Sequence, residues 1–208
     1  MTVLVQAAPS AAQTQRLLVL ARADGGRVGA VVGWCDLLAD DAPALVRRLA
    51  KQPRLAGLRP MLQDLPDPAW ILQRRLAPAI EAMADAGLSF DALVRPAQLG
   101  ALLTFAKRYP ALPMVVDHGA KPDIAARGWQ PWADDIGRIA SDTGAFCKLS
   151  GLVTEAGADW GDETLQPYVE RLLAPLSPDD RARIFGGNAA AFYRIVNSAP
   201  AGAASAAR

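Results

Sequence analysis

The residues best suited to chemistry lie in one stretch, 114–122. An apolar run, Met114–Val116, is followed at once by Asp117, His118 and Lys121. His118 is the single histidine among 208 residues, and imidazole is the side chain whose charge changes most readily near neutral pH. In α/β barrels, the loops that carry chemistry begin where the parallel strands end. Residue type alone leaves two interpretations about equally open, a functional histidine or a structural histidine at a strand end.

Polar residues also follow or interrupt the other apolar runs. They are Gln6, Asp36, Arg59, Arg95 and Lys148, together with Asp91 inside the fourth run. Because the carboxyl ends of parallel strands meet on one face, this repetition predicts one shared pocket there. Charged residues that simply begin exposed loops would explain Asp36 and Arg95 equally well. They explain Lys148 less well, because apolar residues flank it on both sides.

The elements that must position these residues alternate between strand and helix. Apolar runs near residues 3–6, 28–34, 55–60, 88–94, 114–116 and 145–151 predict six strands, with helical patterns between them, including one over about 70–86. Continuous apolar runs are typical of parallel strands buried on both faces. No further apolar strand follows, whereas a closed TIM barrel has eight. We therefore predict an α/β fold, an incomplete TIM (β/α)8-type barrel with about six parallel strands and a C-terminal helix.

Composition and charge favour a soluble globular protein. Hydrophobic residues make up 51% and charged residues 21%, and the net charge of +1 gives no steering toward nucleic acid or anionic membranes. No apolar run approaches the ~18 residues of a membrane span. Cys35 and Cys147 both lie in apolar runs and are predicted to be buried free thiols of a cytoplasmic protein. We expect one domain over 1–197 and a disordered Ala-rich tail over 198–208.

Seven blocks of the sequence carry a resemblance to one family. They are Val-Leu-Val-Gln-Ala-Ala-Pro (3–9), Val-Val-Gly-Trp-Cys-Asp-Leu (31–37), Gly-Leu-Arg-Pro-Met-Leu-Gln (57–63), Phe-Asp-Ala-Leu-Val-Arg-Pro (90–96), the stretch with Asp117 and His118, Cys-Lys-Leu-Ser-Gly-Leu (147–152) and Phe-Gly-Gly-Asn-Ala-Ala (185–190). In order and spacing they resemble the lactonase-type branch of the amidohydrolase superfamily. These are metal-dependent-hydrolase-like TIM barrels related to fuconolactonase and pyrone-dicarboxylate lactonase. The resemblance spans most of the chain.

Two motifs of that family have no counterpart in the sequence. The family's first strand carries a His-x-His pair ahead of the Val-Leu-Val-Gln strand, with which this sequence begins. The family's eighth strand carries Gly-Ser-Asp-Trp-Pro, whose aspartate is the catalytic or metal-binding carboxylate. Here Tyr-Val-Glu-Arg (168–171) runs directly into Leu-Leu-Ala-Pro-Leu-Ser-Pro (172–178). The eighth strand and its helix are missing between these two segments. The resemblance therefore implies family strands two to seven plus the terminal helix.

The resemblance also implies catalytic roles for three residues. His118 would ligate a metal or polarise the substrate carbonyl. Lys148 would contribute positive charge, and Asp117 would orient the strand end. Asp91 is a less favoured candidate for a replacement base.

Two further residues are implied to bind substrate. Arg59 would hold a substrate carboxylate or oxyanion, for which its planar fork is suited, and Gln63, just beyond the Arg59 strand, is a weaker candidate. No metal ligand is assigned, because one histidine without His-x-His partners cannot build the family's ligand set. We therefore expect no cofactor in this chain, although family members may use a divalent metal such as zinc.

Two functions remain open at this point. The leading hypothesis, implied by the resemblance, is hydrolysis of a small lactone or cyclic ester in carbohydrate or aromatic-lactone metabolism. The alternative is a degenerate, non-catalytic barrel that binds a small anion through Arg59, His118 and Lys148 or has no function. The small number of imidazoles and catalytic carboxylates favours this alternative. We expect a small-molecule partner, no nucleic acid or membrane, and a possible homo-oligomer through exposed sheet edges.

Overall fold

Six strands form one parallel sheet whose spatial order follows the chain. The computed structural model describes residues 1–174, 176–177 and 187–195. The strands are β1 (Thr2–Val5), β2 (Val28–Gly33), β3 (Leu55–Leu58), β4 (Ser89–Ala92), β5 (Met114–Val116) and β6 (Phe146–Cys147). Every neighbouring pair is parallel. The predicted incomplete barrel of six strands is confirmed.

Helices connect the strands and follow the last one. They are α1 (Ala11–Ala23), α2 (Ala42–Ala50), α3 (Ala77–Asp85), α4 (Leu99–Arg108), α5 (Trp132–Asp142), α6 (Asp162–Leu173) and α7 (Gly187–Phe192). The Ser10 hydroxyl caps α1 by accepting a hydrogen bond from the backbone N–H of Gln13. Asp134 and Asp135 lie in the first turn of α5, where the helix dipole favours negative charge. These local signals explain where the crossover helices begin.

The main hydrophobic core lies between the sheet and the crossover helices. Leu18, Val46, Ile80, Leu102 and Ile139 come from five different helices, and each is buried in this core. Their partners are the outward-facing residues of the strands. This is the outer layer of a TIM-type barrel, and it fixes the strand ends that carry the polar residues.

A second apolar cluster lies on the opposite face of the sheet, which lines the barrel interior. Ala30, Val32 and Ala56 are buried there against Tyr193, and Phe192 and Ile195 pack beside them. In a closed barrel, side chains from eight strands fill this space. Here the end of α7 and the residues after it occupy part of it, so the interior is covered although only six strands surround it.

The edges of the sheet are more exposed than its centre. Every residue of β3, β4 and β5 is buried, whereas both residues of β6 are exposed. Cys35 is buried as predicted, but the prediction for Cys147 is wrong, because its thiol lies on β6 and is exposed. A terminal strand has a strand neighbour on one side only, which leaves more of its surface exposed.

The segment before α3 also differs from the prediction. Instead of one helix over 70–86, two short 3-10 turns, Trp70–Leu72 and Arg74–Leu76, precede α3. Gln73 separates the turns with an extended backbone (φ −59°, ψ 131°), which interrupts the helical hydrogen bonds.

No helix in the described part of the chain is both long and apolar enough to cross a membrane. The predicted domain boundary at 197/198 lies outside the described residues. The sequence also predicts a short helix over 181–185, and this segment lies outside them as well.

Candidate active site

A left-handed turn follows β5 and carries the single histidine. His118, Gly119, Ala120 and Lys121 have φ values of 54°, 59°, 61° and 50°. For residues other than glycine this conformation costs about 1–2 kcal/mol each. The indole N–H of Trp132 donates to the Gly119 carbonyl at 2.6 Å and anchors the turn. Strained backbone held by surrounding contacts is common at functional sites.

A network of four charged side chains lies directly below this turn. The ammonium of Lys148 is 2.6 Å from Asp91 Oδ2 and 2.6 Å from Asp117 Oδ1. On its other side, Asp117 Oδ2 is 3.1 Å from Arg59 Nη1. Both carboxylates are fully buried, so the two cations neutralise charges that could not otherwise remain inside the protein. Four residues from β3, β4, β5 and β6, or from just beyond them, are joined in this way.

Neutral groups add further hydrogen bonds to this ion network. The Tyr193 hydroxyl donates to Asp91 Oδ2 at 2.7 Å, and the Ser89 hydroxyl donates to Asp91 Oδ1 at 2.9 Å. At the other end, the Gln6 amide donates to the Arg59 carbonyl at 2.7 Å, and the Arg59 guanidinium donates to the Gln6 carbonyl. The network therefore extends from β1 to β6 across the interior of the open barrel.

The surroundings of Lys148 and Asp91 keep both side chains ionised. Burial opposes the charge on Lys148, but the adjacent carboxylates of Asp91 and Asp117 outweigh burial and raise the pKa of the ammonium. Burial raises the pKa of Asp91, whereas Lys148 acts in the opposite direction. We assign the ionised form to Asp91, because its two oxygens accept hydrogen bonds from Ser89, Tyr193 and Lys148. Burial, reinforced by Asp91, also raises the pKa of Tyr193 and keeps its hydroxyl protonated.

His118 is placed differently from its neighbour Asp117. Its side chain is partly exposed, and its Nδ1 lies 2.9 Å from the hydroxyl oxygen of Ser150, an exposed residue just after β6. Burial lowers the pKa of His118, and Lys148, Arg59 and Lys121 lower it further, whereas Asp117 raises it. The imidazole is therefore neutral at neutral pH and has a lone pair available to accept a proton.

The structure brings only part of the predicted strand-end set together. Gln6, Arg59, Asp117 and Lys148 meet in the ion network, with Asp91. Asp36 instead accepts a hydrogen bond from the backbone N–H of Leu38, and Arg95 lies 3.7 Å from Glu155. For Asp36 and Arg95, the simpler interpretation of charged residues at loop starts is correct.

Gln63 lies beside the network without joining it. Its amide donates to Asp64 at 3.2 Å, and its carbonyl oxygen is buried without a hydrogen-bond partner among the described residues. No role was predicted from the sequence for Ser89, Ser150 or Tyr193. Ser89 lies two residues before Asp91, and Ser150 lies two residues after Lys148. In an extended segment this spacing places two side chains on the same face. No comparable signal exists for Tyr193.

The family was identified by comparison with known proteins. The amidohydrolase family model matches residues 1–174. This chain belongs to the amidohydrolase family. An L-fucono-1,5-lactonase from Burkholderia ambifaria is 42% identical over 93% of the chain and 80% of that enzyme. Another from Burkholderia multivorans is 35% identical over 76% of the chain, which spans about half (54%) of that relative.

Solved structures of amidohydrolases share the fold. An amidohydrolase from Burkholderia multivorans, crystallised with zinc, superposes with a TM-score of 0.77 at 29% identity, covering 93% of this chain and 83% of that one. A putative 2-pyrone-4,6-dicarboxylic acid hydrolase from Pseudomonas putida superposes with a TM-score of 0.62 at 21% identity, covering 84% and 60%, and shows the fold alone. The alignment with the Burkholderia ambifaria lactonase extends over 232 positions, more than the 208 residues available here. Parts of the family barrel therefore have no counterpart within this amidohydrolase chain.

The described residues of this amidohydrolase do not fit a bound metal. Among the described residues, no group of three or more His, Cys, Asp or Glu side chains is arranged to hold a metal ion. The two buried carboxylates nearest His118 already share the Lys148 ammonium, so a metal would have to displace that cation. Zinc sites usually combine several nitrogen, sulfur or carboxylate ligands. The chemistry derived below therefore involves no metal.

Two cavities of this amidohydrolase lie away from His118. One of about 650 Å³ is lined by residues at the amino ends of β5 and β6, including Met114 and Ala145. Another of about 360 Å³ is lined at the amino ends of β2 and β3, including Val28 and Leu55. Catalytic groups of TIM-type barrels lie at the other, carboxyl-terminal face. The chemistry of this site thus belongs to an open surface around His118 and not to either cavity.

Proposed function

We propose that this chain is a lactonase-type hydrolase that opens small sugar lactones at the carboxyl ends of β5 and β6. The observation that carries the proposal is the neutral, partly exposed imidazole of His118, held by a left-handed turn above the ion network. The similarity to two enzymes named L-fucono-1,5-lactonase supports a sugar 1,5-lactone as the first substrate to test.

Lactone hydrolysis requires a base for the proton of the attacking group and stabilisation of the oxygen anion that forms on the carbonyl. Neutral His118 supplies the base. Lys148, Arg59 and Lys121, the cations that lower its pKa, contribute a positive field that favours a developing oxyanion. The carboxylates that pair with these cations offset part of this field. The chain therefore has both requirements without a metal.

In this proposal Asp117 and Lys148 position His118. Asp117 directly precedes the turn, and its carboxylate is fixed by Lys148 and Arg59, so the turn begins from an immobile residue. Since the Arg59 guanidinium already contacts Asp117, we assign it to this support and to the positive field. We keep Gln63 as a candidate for substrate binding. Its amide oxygen is buried and has no hydrogen-bond partner among the described residues, so a substrate hydroxyl would reach it only after the side chain rotates.

The test is a lactone-hydrolysis assay on the dialysed protein near neutral pH. L-fucono-1,5-lactone, a second sugar 1,5-lactone and 2-pyrone-4,6-dicarboxylate would be compared, each corrected for spontaneous hydrolysis. We expect saturable hydrolysis of at least one sugar lactone. No rate above the spontaneous one on any substrate would contradict the proposal and support the non-catalytic barrel, for which Lys148, with both its carboxylate partners buried, offers a structural role.

The proposed chemistry also makes the chain independent of metal. We expect less than stoichiometric zinc after dialysis, and lactonase activity unchanged by a chelator, because Lys148 holds the carboxylates that a cation would need. Elemental analysis of the dialysed protein measures this directly. About one tightly held metal ion per chain would contradict it.

We further propose that the chain self-associates through its open sheet edges. Within the part of the chain that the structure describes, β1 and β6 each present backbone groups without a strand neighbour on one side, and such edges pair readily with other strands. Light scattering coupled to gel filtration would show a species larger than the monomer. Cys147→Lys, which places a charge on the β6 edge, should shift it toward monomer, whereas Val19→Lys on exposed α1 should not. A monomer at high concentration would contradict this proposal.

A further inference from the structure

Ser150 and His118 form a pair of the kind that performs nucleophilic catalysis. The Ser150 hydroxyl oxygen lies 2.9 Å from Nδ1 of His118, within the reach that a base needs to activate a serine. Ser150 is exposed, so a substrate carbonyl has access to it. In the described part of the chain, no other side-chain hydrogen bond involves the His118 ring.

The backbone on both sides is shaped to hold this contact. His118 has a left-handed backbone (φ 54°), and so does Gly151 (φ 69°), the residue directly after Ser150. A Cβ atom at position 151 would lie 2.7 Å from His118 Nδ1, so the ring packs against the bare backbone of this glycine. One unfavourable conformation, at His118, and one glycine, which adopts positive φ readily, are thus combined to place the imidazole beside the hydroxyl.

The carboxylates of the site are not available for the same task. Asp91 and Asp117 are fully buried, and each contacts the Lys148 ammonium at 2.6 Å. Because both are fully buried, neither carboxylate can reach the proton of an attacking group at the surface. This leaves His118 as the base, and Ser150 as the group whose proton it can take directly.

We infer that Ser150 is the nucleophile of the proposed lactonase reaction, which makes the inference dependent on that function. The Ser150 hydroxyl oxygen attacks the lactone carbonyl carbon, and its proton moves to His118 Nδ1. The ring C–O bond then breaks, and the proton passes to the departing alkoxide, which leaves an open-chain ester on Ser150. Water attacks this ester, His118 takes the water proton and returns it to the serine oxygen, and a hydroxy acid departs. The sum is one lactone and one water converted to one hydroxy acid.

The test uses a fluorophosphonate, which reacts with activated serines by forming an O–P bond with loss of fluoride. Intact-protein and peptide mass spectrometry should show one adduct, located on Ser150. Ser150→Ala should abolish it, and His118→Asn should slow labelling by at least about 100-fold, the usual minimum for losing a general base. Ser141→Ala, which changes another exposed serine, should label like the native chain. Circular dichroism would confirm that each variant folds.

Lactone hydrolysis provides the second measurement and separates this inference from the proposed function. We expect Ser150→Ala to lower kcat by at least about 100-fold and Ser141→Ala to leave it unchanged. If Ser150→Ala is fully active and the native chain forms no adduct, the assignment of Ser150 as nucleophile is overturned, while the lactonase function stands. Labelling of Ser150 without hydrolysis of any lactone would support the nucleophile and refute the proposed substrate. Neither labelling nor hydrolysis would overturn both.

Discussion

The buried ion network and the surface pair of His118 and Ser150 meet at two consecutive residues, Asp117 and His118, whose physical situations are opposite. Asp117 is fully buried and held by two cations, whereas His118 is partly exposed and contacts one hydroxyl. The network contains two carboxylates and two cations, so its charge is balanced and its atoms are fixed. The pair of His118 and Ser150 is neutral and accessible. The paired charges of the network support the site, and the neutral, accessible side chains of His118 and Ser150 are left to react.

The left-handed turn creates this division. Its left-handed backbone begins at His118, directly after Asp117, and it places the side chains of Asp117 and His118 in different environments. A regular continuation of β5 would place residues 117 and 118 on opposite faces of the sheet. The turn instead brings His118 to the end of β6, beside Ser150.

The largest effect that would test this division is the loss of His118. His118→Asn should lower the proposed lactonase rate by about 10²- to 10⁴-fold, because a general base is removed. Asparagine tolerates the left-handed backbone, so the turn and the stability of the protein should be retained. The measurement is kcat with urea unfolding as its control. A large loss of stability with an unchanged rate per folded molecule would place His118 with the supporting network.

The matching change in the network is Lys148→Met, which should act mainly on stability. Removing one partner from a buried ion pair typically costs about 3–5 kcal/mol, because the remaining charges are uncompensated. Lys107→Met is the matched control, since Lys107 contacts Asp142 at the same 2.6 Å but on the surface. That control should lose no more than about 1 kcal/mol. Equal unfolding free energies for the two variants, measured in urea, would show that burial does not distinguish these ion pairs.

A smaller effect is expected where the C-terminal segment meets the network. Tyr193→Phe removes the hydroxyl that donates to Asp91 and should destabilise the fold by about 1.5–3 kcal/mol, the range for a hydrogen bond to a charged group. Tyr109→Phe serves as control, because the described contact of Tyr109 is a ring contact with Phe105. Urea unfolding of both variants gives the comparison. No difference between them would mean that Tyr193 contributes through its ring alone.

The smallest effect is a shift in pH dependence. Because the pKa of His118 is lowered from 6.5, the fraction of neutral base, and therefore kcat/KM, should rise with pH through a value below 6.5 and be flat at neutral pH. The pKa of Lys148 is raised, so its stabilisation should be complete below the usual lysine value of 10.5 and be lost only at higher pH. The dependence of kcat/KM on pH measures the titration of His118, and urea unfolding across pH measures the loss of stabilisation by Lys148. A rate profile with its midpoint above 6.5 would contradict the assignment of His118.

Local features of the sequence were sufficient to predict much of the fold. Continuous apolar runs predicted all six parallel strands, because a strand buried on both faces has few alternatives. The same runs placed Arg59, Asp117 and Lys148 at one end of the sheet, and the structure joins them there. The helix expected over 70–86 was wrong in its first part, because the extended backbone at Gln73 depends on packing and not on helix propensity.

Other features depend on contacts between distant parts of the chain. Tyr193 and Asp91 are 102 residues apart, and nothing in either local sequence indicates that one covers the other. Residue types also could not show whether His118 would enter the ion network or leave it, because that depends on a left-handed turn anchored by Trp132. The exposure of Cys147 follows from the position of β6 at the edge of the sheet. The sequence thus determined which residues stand at the strand ends, and tertiary packing decided which of them are neutralised inside and which remain free to react.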